Sequence, residues 1–316
     1  MEVETNQKGI YFDHKSVALD IAFIESLTLT KSTLSGKPEP FVLLKPHRKL
    51  ITNLLGWKRQ DGTRLYTRCF FSVARKNAKS TSCAALALAL LVMDDEQSPE
   101  IYLAAKTREQ ASIVFDAAVQ FIYAHPELRS LLKVTPYSKT IINPMNNGVL
   151  KALSSEGKTA HGKNPSAVIF DELWAWDTPE QELYDALTSG SAARRSPIFC
   201  FITTAGVNEH TLCGREYDYA VKVRDGVIVD PHYLPLIYEV PKDADWTDEK
   251  LWHLANPCLG SIVKLESLRE DRDKALNVPS EQTAFKRLHC NMWVNSRDTW
   301  IPVGKFDLCK WDGKSF

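Results

Sequence analysis

Apolar residues in this chain cluster in short unbroken blocks, and the stretches between them repeat apolar positions at helical spacing. The blocks at 69–73, 100–105, 148–153, 166–171 and 198–203 have the near-continuous hydrophobicity of strands covered on both faces. The intervening periodicity predicts helices near 46–55, 79–93, 107–124, 179–188 and 209–222. Strand and helix alternating on this scale predict an α/β domain, with a mostly parallel sheet and helices on both faces. Asn146-Asn147-Gly148 is a turn signal that pairs 139–143 with 148–153 as an edge hairpin. Residues 1–40 read as a polar N-terminal arm with one helix, Val17 to Leu29, and 41–230 hold the core. After Asp230-Pro231 come a strand from Tyr233 to Val240, an acidic loop, and helices near 248–255, 264–277 and 280–290. We read 231–316 as a smaller lid or linker subdomain, with Trp293 and Trp300 filling its core.

Chemistry concentrates where blocks end. Val168-Ile169-Phe170 runs into two adjacent acids, Asp171 and Glu172. An acid at the tip of a parallel strand lies on the rim where open α/β sheets bind ligands. There Asp171 can hold Mg²⁺ against a nucleotide and Glu172 can polarise an attacking water. The plainer alternative is a strand entering a helix N-terminus, where acids are welcome anyway. Upstream, block 69–73 leads through Ala74-Arg75-Lys76-Asn77-Ala78-Lys79-Ser80-Thr81 into an Ala/Leu-rich helix. Strand, tight loop and helix make the setting of a phosphate loop, with Lys79 reaching the β/γ-phosphates and Ser80 offering its hydroxyl to Mg²⁺. Both glycine positions of G-x-x-x-x-G-K-[ST] are substituted, by Val73 and Ala78. Taken alone, the loop also reads as a basic helix cap. A third block, Ile198 to Ile202, ends in Thr203-Thr204-Ala205-Gly206, suited to sensing a γ-phosphate or to serving as an ordinary turn.

Composition narrows the setting. The 316 residues contain no run of 18 apolar positions, which predicts no membrane span. Seven scattered cysteines without a C-x-x-C pair read as reduced core thiols. Net charge is zero, against a constitutive high-affinity nucleic-acid binder, yet Lys45 to Lys79 carries ten basic residues and one acid. Local basicity of that kind suits a transient grip on DNA as well as it suits a solvated face.

Together, Arg75-Lys76-Asn77-x-Lys79-Ser80, Asp171-Glu172-Leu173-Trp174 and Thr203-Thr204-Ala205-Gly206 resemble the large terminase subunit of tailed bacteriophages. The resemblance extends over residues 40 to 300 and includes Ile101 to Ala105, Asn164-Pro165-Ser166 and Asn291-Met292-Trp293. It implies a P-loop NTPase of the additional-strand, RecA-like type that hydrolyses ATP with Mg²⁺ to drive double-stranded DNA into a procapsid. Residues 74–81 would form the nucleotide-binding Walker A loop, with Lys79 on phosphate, Ser80 on metal, and Arg75 as a second phosphate contact or glutamate switch. Asp171 would be the Walker B metal acid, Glu172 the catalytic base, and Thr203 to Gly206 the coupling motif. Where the family often has Pro-x-Gln for the adenine, this chain has Pro46-His47-Arg48. Implied partners are a portal protein on the procapsid, a small terminase subunit and further copies in a ring, in the cytoplasm of an infected bacterium.

Arg194 and Arg195 are the candidate arginine fingers, with Lys158 a further cation, although such loop cations are more often merely solvated. The family continues into an RNase H-like nuclease. Because the sequence stops at Phe316 and shows no cluster of strand-borne carboxylates elsewhere, the expectation is an ATPase portion without the nuclease, unable to cut DNA. The competing readings are a superfamily-2-like helicase, for which too little chain follows Gly206, and a non-hydrolysing nucleotide-binding scaffold, which would have no use for Glu172.

Overall fold

Along each central strand, successive side chains enter opposite cores. Cys69, Phe71, Ile101, Leu103, Ile169, Cys200 and Ile202 face one layer of helices. Phe70, Tyr102, Val168, Phe170, Phe199 and Phe201 face the other. Burial on both faces explains why these strands are apolar without a break. The computed structural model describes residues 9–31, 36–154, 162–176, 178–207 and 210–294. Among these, no helix is long and apolar enough to cross a membrane.

The chain opens with β1 (Ile10–Phe12), α1 (His14–Ser26), β2 (Thr28–Leu29), β3 (Glu39–Pro40), α2 (Lys45–Gly56) and β4 (Trp57–Arg59). Asp13 accepts a hydrogen bond from the Ser16 amide at 3.0 Å, which starts α1 earlier than its apolar periodicity suggests. Through Val17, Ile24 and Leu27 this segment joins the larger core. Next come β5 (Arg68–Ser72), α3 (Lys79–Val92), β6 (Glu100–Ala105), α4 (Arg108–Ala124) and α5 (Pro126–Leu131). The antiparallel edge follows as β7 (Lys133–Thr135), β8 (Thr140–Asn143) and β9 (Gly148–Ser154). Asn147 at its turn adopts φ 55°.

The chain then returns through β10 (Ala167–Phe170), α6 (Thr178–Ser189), β11 (Ile198–Thr203), α7 (Leu212–Arg224) and β12 (Tyr233–Ile237). The eight-stranded sheet runs β12-β5-β11-β10-β6-β9-β8-β7, parallel from β12 to β9. β11 therefore lies between the strand before the basic loop and the strand before the acidic pair, which is the additional-strand P-loop arrangement.

Beyond the sheet, α8 (Trp252–Ala255), α9 (Leu265–Asn277) and α10 (Pro279–Leu288) gather around Trp252 and Phe285. This third core closes against Ala74 of the basic loop. Trp293, expected inside it, packs elsewhere. Its ring stacks on Tyr217 of α7 at 4.8 Å, among the residues under that helix. Trp300 lies outside the described residues.

Candidate nucleotide-binding site

Between β5 and α3 the backbone enters the left-handed region twice, at Lys76 (φ 63°) and Ala78 (φ 55°). Such alternation points successive N–H groups into one concavity suited to an anion. Ala78 thus adopts the conformation that a glycine would take there, at a cost of about 1 kcal/mol. It also begins α3 without a side-chain cap, leaving the first-turn N–H groups free of side-chain partners from that residue. Asn77 is fully buried and holds the loop from beneath. Its Nδ2 donates to the carbonyls of Ala74 and Arg75 and to Asn256 Oδ1, each at 3.1 Å, and its Oδ1 accepts from the Cys258 amide at 3.2 Å. Arg75 and Lys76 are exposed, whereas Ser80 and Thr81 on the first turn of α3 are partly buried.

The parallel register brings the tips of β5, β10 and β11 to one rim. Lys79 is buried there, with Nζ donating to Val73 O at 3.1 Å, Ala74 O at 3.2 Å and Thr204 Oγ1 at 2.9 Å. Burial lowers its pKa, opposed by the charges of Glu172 and Asp171. Ser80 Oγ is 3.4 Å from Asp171 Oδ2. Adjacent ligands of an octahedral Mg²⁺ stand ~2.9 Å apart at its bond lengths, so this hydroxyl and carboxylate fit two positions of one shell. Asp171 is 4% exposed. Burial first, and the Glu172 carboxylate second, push its pKa from 3.8 up to about 7, a demand that a cation would relieve.

Glu172 itself is left-handed (φ 49°, ψ 47°), strain of the kind retained at functional positions. Its amide donates to Asp171 Oδ1 at 3.0 Å, and its carboxylate accepts from the indole Nε1 of Trp174. The Trp174 amide donates to Thr203 Oγ1 at 3.1 Å, joining the acidic tip to the third motif. Ala205 N donates to Asn291 Oδ1 at 2.7 Å. A side chain at Gly206 would meet the Trp293 ring at 2.8 Å, which explains the glycine.

Other sequence candidates are not at this rim. Arg194 donates to the carbonyls of Asn164, Gln97 and Ser98 and pairs with Glu96 at 3.1 Å. Arg195 donates to Asp61 O. These partners of Arg194 lie just before β6 and β10, one strand length, about 20 Å, from the tips that carry Lys79 and Asp171. Within the described chain, Arg194 ties loops together at the opposite edge of the sheet. Lys158 lies outside the described residues. Arg48 is paired with Glu25 of α1. His47 is buried beside Phe71, and burial takes its pKa from 6.5 to about 4, so it is neutral.

Residues 46–222 match the family described as terminase large subunit, ATPase domain. The chain belongs to the terminase large subunit family. It is 34% identical over 291 residues to the large terminase subunit of Enterobacteria phage HK97, covering 92% of this chain and 55% of that protein. The chain thus spans about half the length of that relative. The crystal structure of the HK97 large terminase superimposes with a TM-score of 0.76 at 33% identity, over 88% of this chain and 55% of that one. The large terminase of a thermophilic bacteriophage, solved in complex with ADP, has a TM-score of 0.51 at 12% identity, over 80% of this chain and 54% of that one, and shares the fold.

A second match corrects the expectation that this terminase chain has no nuclease part. Residues 227–316 match the terminase large subunit endonuclease domain. The inference that the chain could not cut DNA therefore loses its ground. It rested on the sequence stopping at Phe316 and on seeing no carboxylate cluster, but acids that only the fold brings together leave no local spacing signature. Asp298, Asp307 and Asp312 fall in the matched span and outside the described residues. Among the described residues, no group of three or more metal-ligating side chains is present.

The fold also brings to the rim two residues that no sequence signal marked, Asn256 and Arg287. Asn256 bonds the phosphate loop and also donates to Trp252 O at 3.0 Å and His289 O at 2.7 Å. Asn291, already noticed as part of the resemblance, bridges Ala205 to Ser72 Oγ and Tyr238 O. Arg287 of α10 lies with its guanidinium 4.6 Å from the Trp174 ring centre. Nothing in the local sequence marks Asn256 or Arg287, because each acts across a long separation along the chain.

Proposed function

We propose that this chain hydrolyses ATP as the motor part of a viral DNA-packaging terminase. The observation that carries the reading is the meeting of Lys79, Ser80, Asp171, Glu172 and Thr204 at one rim of an additional-strand P-loop sheet. The loop amides of residues 74–79 and the start of α3 receive the phosphates. Lys79 exchanges its carbonyl partners for phosphate oxygens, with Arg75 as a further cation at the loop's exposed side. Thr81 remains a flank of the first turn. Ser80 and Asp171 would hold Mg²⁺, which would offset the phosphate charge when bound. Glu172 accepts a proton from the attacking water, and its second carboxylate oxygen remains available while Trp174 holds the first.

Thr204, bonded to Lys79, and Thr203, bonded to the Trp174 amide, link the occupied loop to Ala205 and Gly206. Those in turn abut Asn291 and Trp293 of the last described segment. Motion there would be applied to double-stranded DNA, in a ring of copies seated on a procapsid portal with a small subunit, within the host cytoplasm. Glu172→Gln tests the reading. The amide keeps shape but cannot take the proton, so turnover should fall by about two decades or more while ATP affinity, measured by calorimetry, stays near wild type. A variant that hydrolyses ATP at close to the wild-type rate removes Glu172 from the mechanism.

A further inference from the structure

Glu172 is held from two sides. Its strained backbone is pinned by Asp171, and its carboxylate is bound by the Trp174 indole N–H. The outer face of that indole is covered by Arg287, a half-buried side chain on α10 of the last described unit. Among the described residues Arg287 has no ion-pair partner. Its neighbours are the ring and the charges of Glu172, which attracts it, and Arg75, which repels it. A guanidinium on an indole face is a favourable contact, stronger where water is partly excluded. The same helix end is joined to the phosphate loop, since the Arg75 amide donates to Leu288 O at 2.9 Å. A carboxylate with one oxygen in a fixed hydrogen bond presents the other in a defined direction, which a water-polarising base needs.

We propose that Trp174 and Arg287 are positioning residues for Glu172: the indole N–H sets the carboxylate, and Arg287 makes that setting depend on the seating of α10. This rests on the ATPase reading above. Trp174 acts through its N–H and not through its bulk, so Trp174→Phe, which keeps a ring for Arg287, should lower kcat about tenfold or more with the ATP KM within about twofold. Arg287→Ala should lower kcat by a smaller factor, again without moving KM, and Arg287→Lys should recover part of the loss because an ammonium can still sit over the ring.

The test measures kcat and KM for ATP on the full chain, for wild type, Glu172→Gln, Trp174→Phe, Arg287→Ala and Arg287→Lys, with thermal unfolding of each. The expected pattern is a silent Glu172→Gln, kcat losses in Trp174→Phe and Arg287→Ala, and partial rescue by lysine, at unchanged unfolding temperature. If Trp174→Phe does not fold, the pair Arg287→Ala and Arg287→Lys decides. Wild-type kcat in Trp174→Phe or Arg287→Ala alongside a silent Glu172→Gln overturns the positioning role and leaves the ATPase reading standing. A raised KM at unchanged kcat overturns it likewise, by assigning these residues to substrate binding. If wild type shows no turnover, or Glu172→Gln keeps it, the ATPase reading itself fails and the inference falls with it.

Discussion

Asp171→Asn should make the nucleotide-free chain more stable while removing its response to Mg²⁺ and ATP. The carboxylate is 4% exposed and lies beside that of Glu172. The nearby cation, Lys79, already donates to two carbonyls and Thr204. An ionised Asp171 therefore relies on one backbone N–H and a 3.4 Å hydroxyl contact, and its pKa is pushed from 3.8 to about 7. The folded chain thus retains a proton between roughly pH 4 and 7 that the unfolded chain releases. Stability must fall as pH rises through that window and level off above it. Fully developed, the difference is worth ~4 kcal/mol, and relaxation of the site should leave about half.

Asparagine has no charge to bury and keeps the acceptor for the Glu172 amide. In thermal unfolding with chelator and no nucleotide, Asp171→Asn should melt roughly 4 °C above wild type at pH 8. The gap should narrow at pH 5 and close below pH 4. Adding Mg²⁺ and ATP should stabilise wild type and leave the variant nearly unmoved. A variant less stable than wild type at pH 8, or a gap that does not change with pH, refutes the claim that a strained, cation-seeking carboxylate sits at this tip.

Two other substitutions probe the phosphate loop. Ala78→Gly should raise the urea midpoint by the equivalent of about 1 kcal/mol, because φ 55° suits glycine better than alanine, and ATP affinity should be retained. Lower stability would mean that the entropy of the freer loop outweighs the strain. Asn77→Ala should cost about 2–4 kcal/mol in the same measurement, since it strands Asn256 Oδ1 and the Cys258 amide in a buried place. An unchanged midpoint would show that these groups find other partners.

The sheet was legible because its strands are covered on both faces, so Cys69 to Ser72, Val168 to Phe170 and Ile198 to Thr203 stand out as apolar blocks. The acidic tip and the Lys79-Ser80 pair were legible for a related reason: strand ends on a parallel sheet share a rim. The same rule places Arg194 correctly when applied to strand beginnings. It precedes β11, and everything that precedes a parallel strand lies at the opposite edge from the phosphate loop. Ala78 hid the loop only from a glycine pattern, since its backbone conformation is the one such a pattern encodes. Asn256 and Arg287 were invisible because their partners, Asn77 and Trp174, are far away in sequence, and no periodicity reports a contact between a loop and a helix of another layer. The nuclease match left no such signal, because carboxylates that meet only in the fold need not cluster along the chain.

The rim and the unit after β12 are connected more tightly than an ATPase core and an appendage would require. The contacts that cross between them include Asn77 to Asn256, the Arg75 amide to Leu288 O, the Ala205 amide to Asn291, and Arg287 on Trp174. They reach the phosphate loop, the acidic tip and the third motif, which emerge from three different strands. A rearrangement of the basic loop or the third motif must therefore either carry this unit with it or break a hydrogen bond to buried Asn77 or Asn291, and the latter is the costlier course. The small third core, packed around Trp252 and Phe285 and closing on Ala74, leaves little room for independent sliding. Residues 227–316 match the endonuclease domain, so the unit tethered to the rim lies within that matched span. The contacts that join the rim to this unit run through Asn256, Leu288, Asn291 and Arg287.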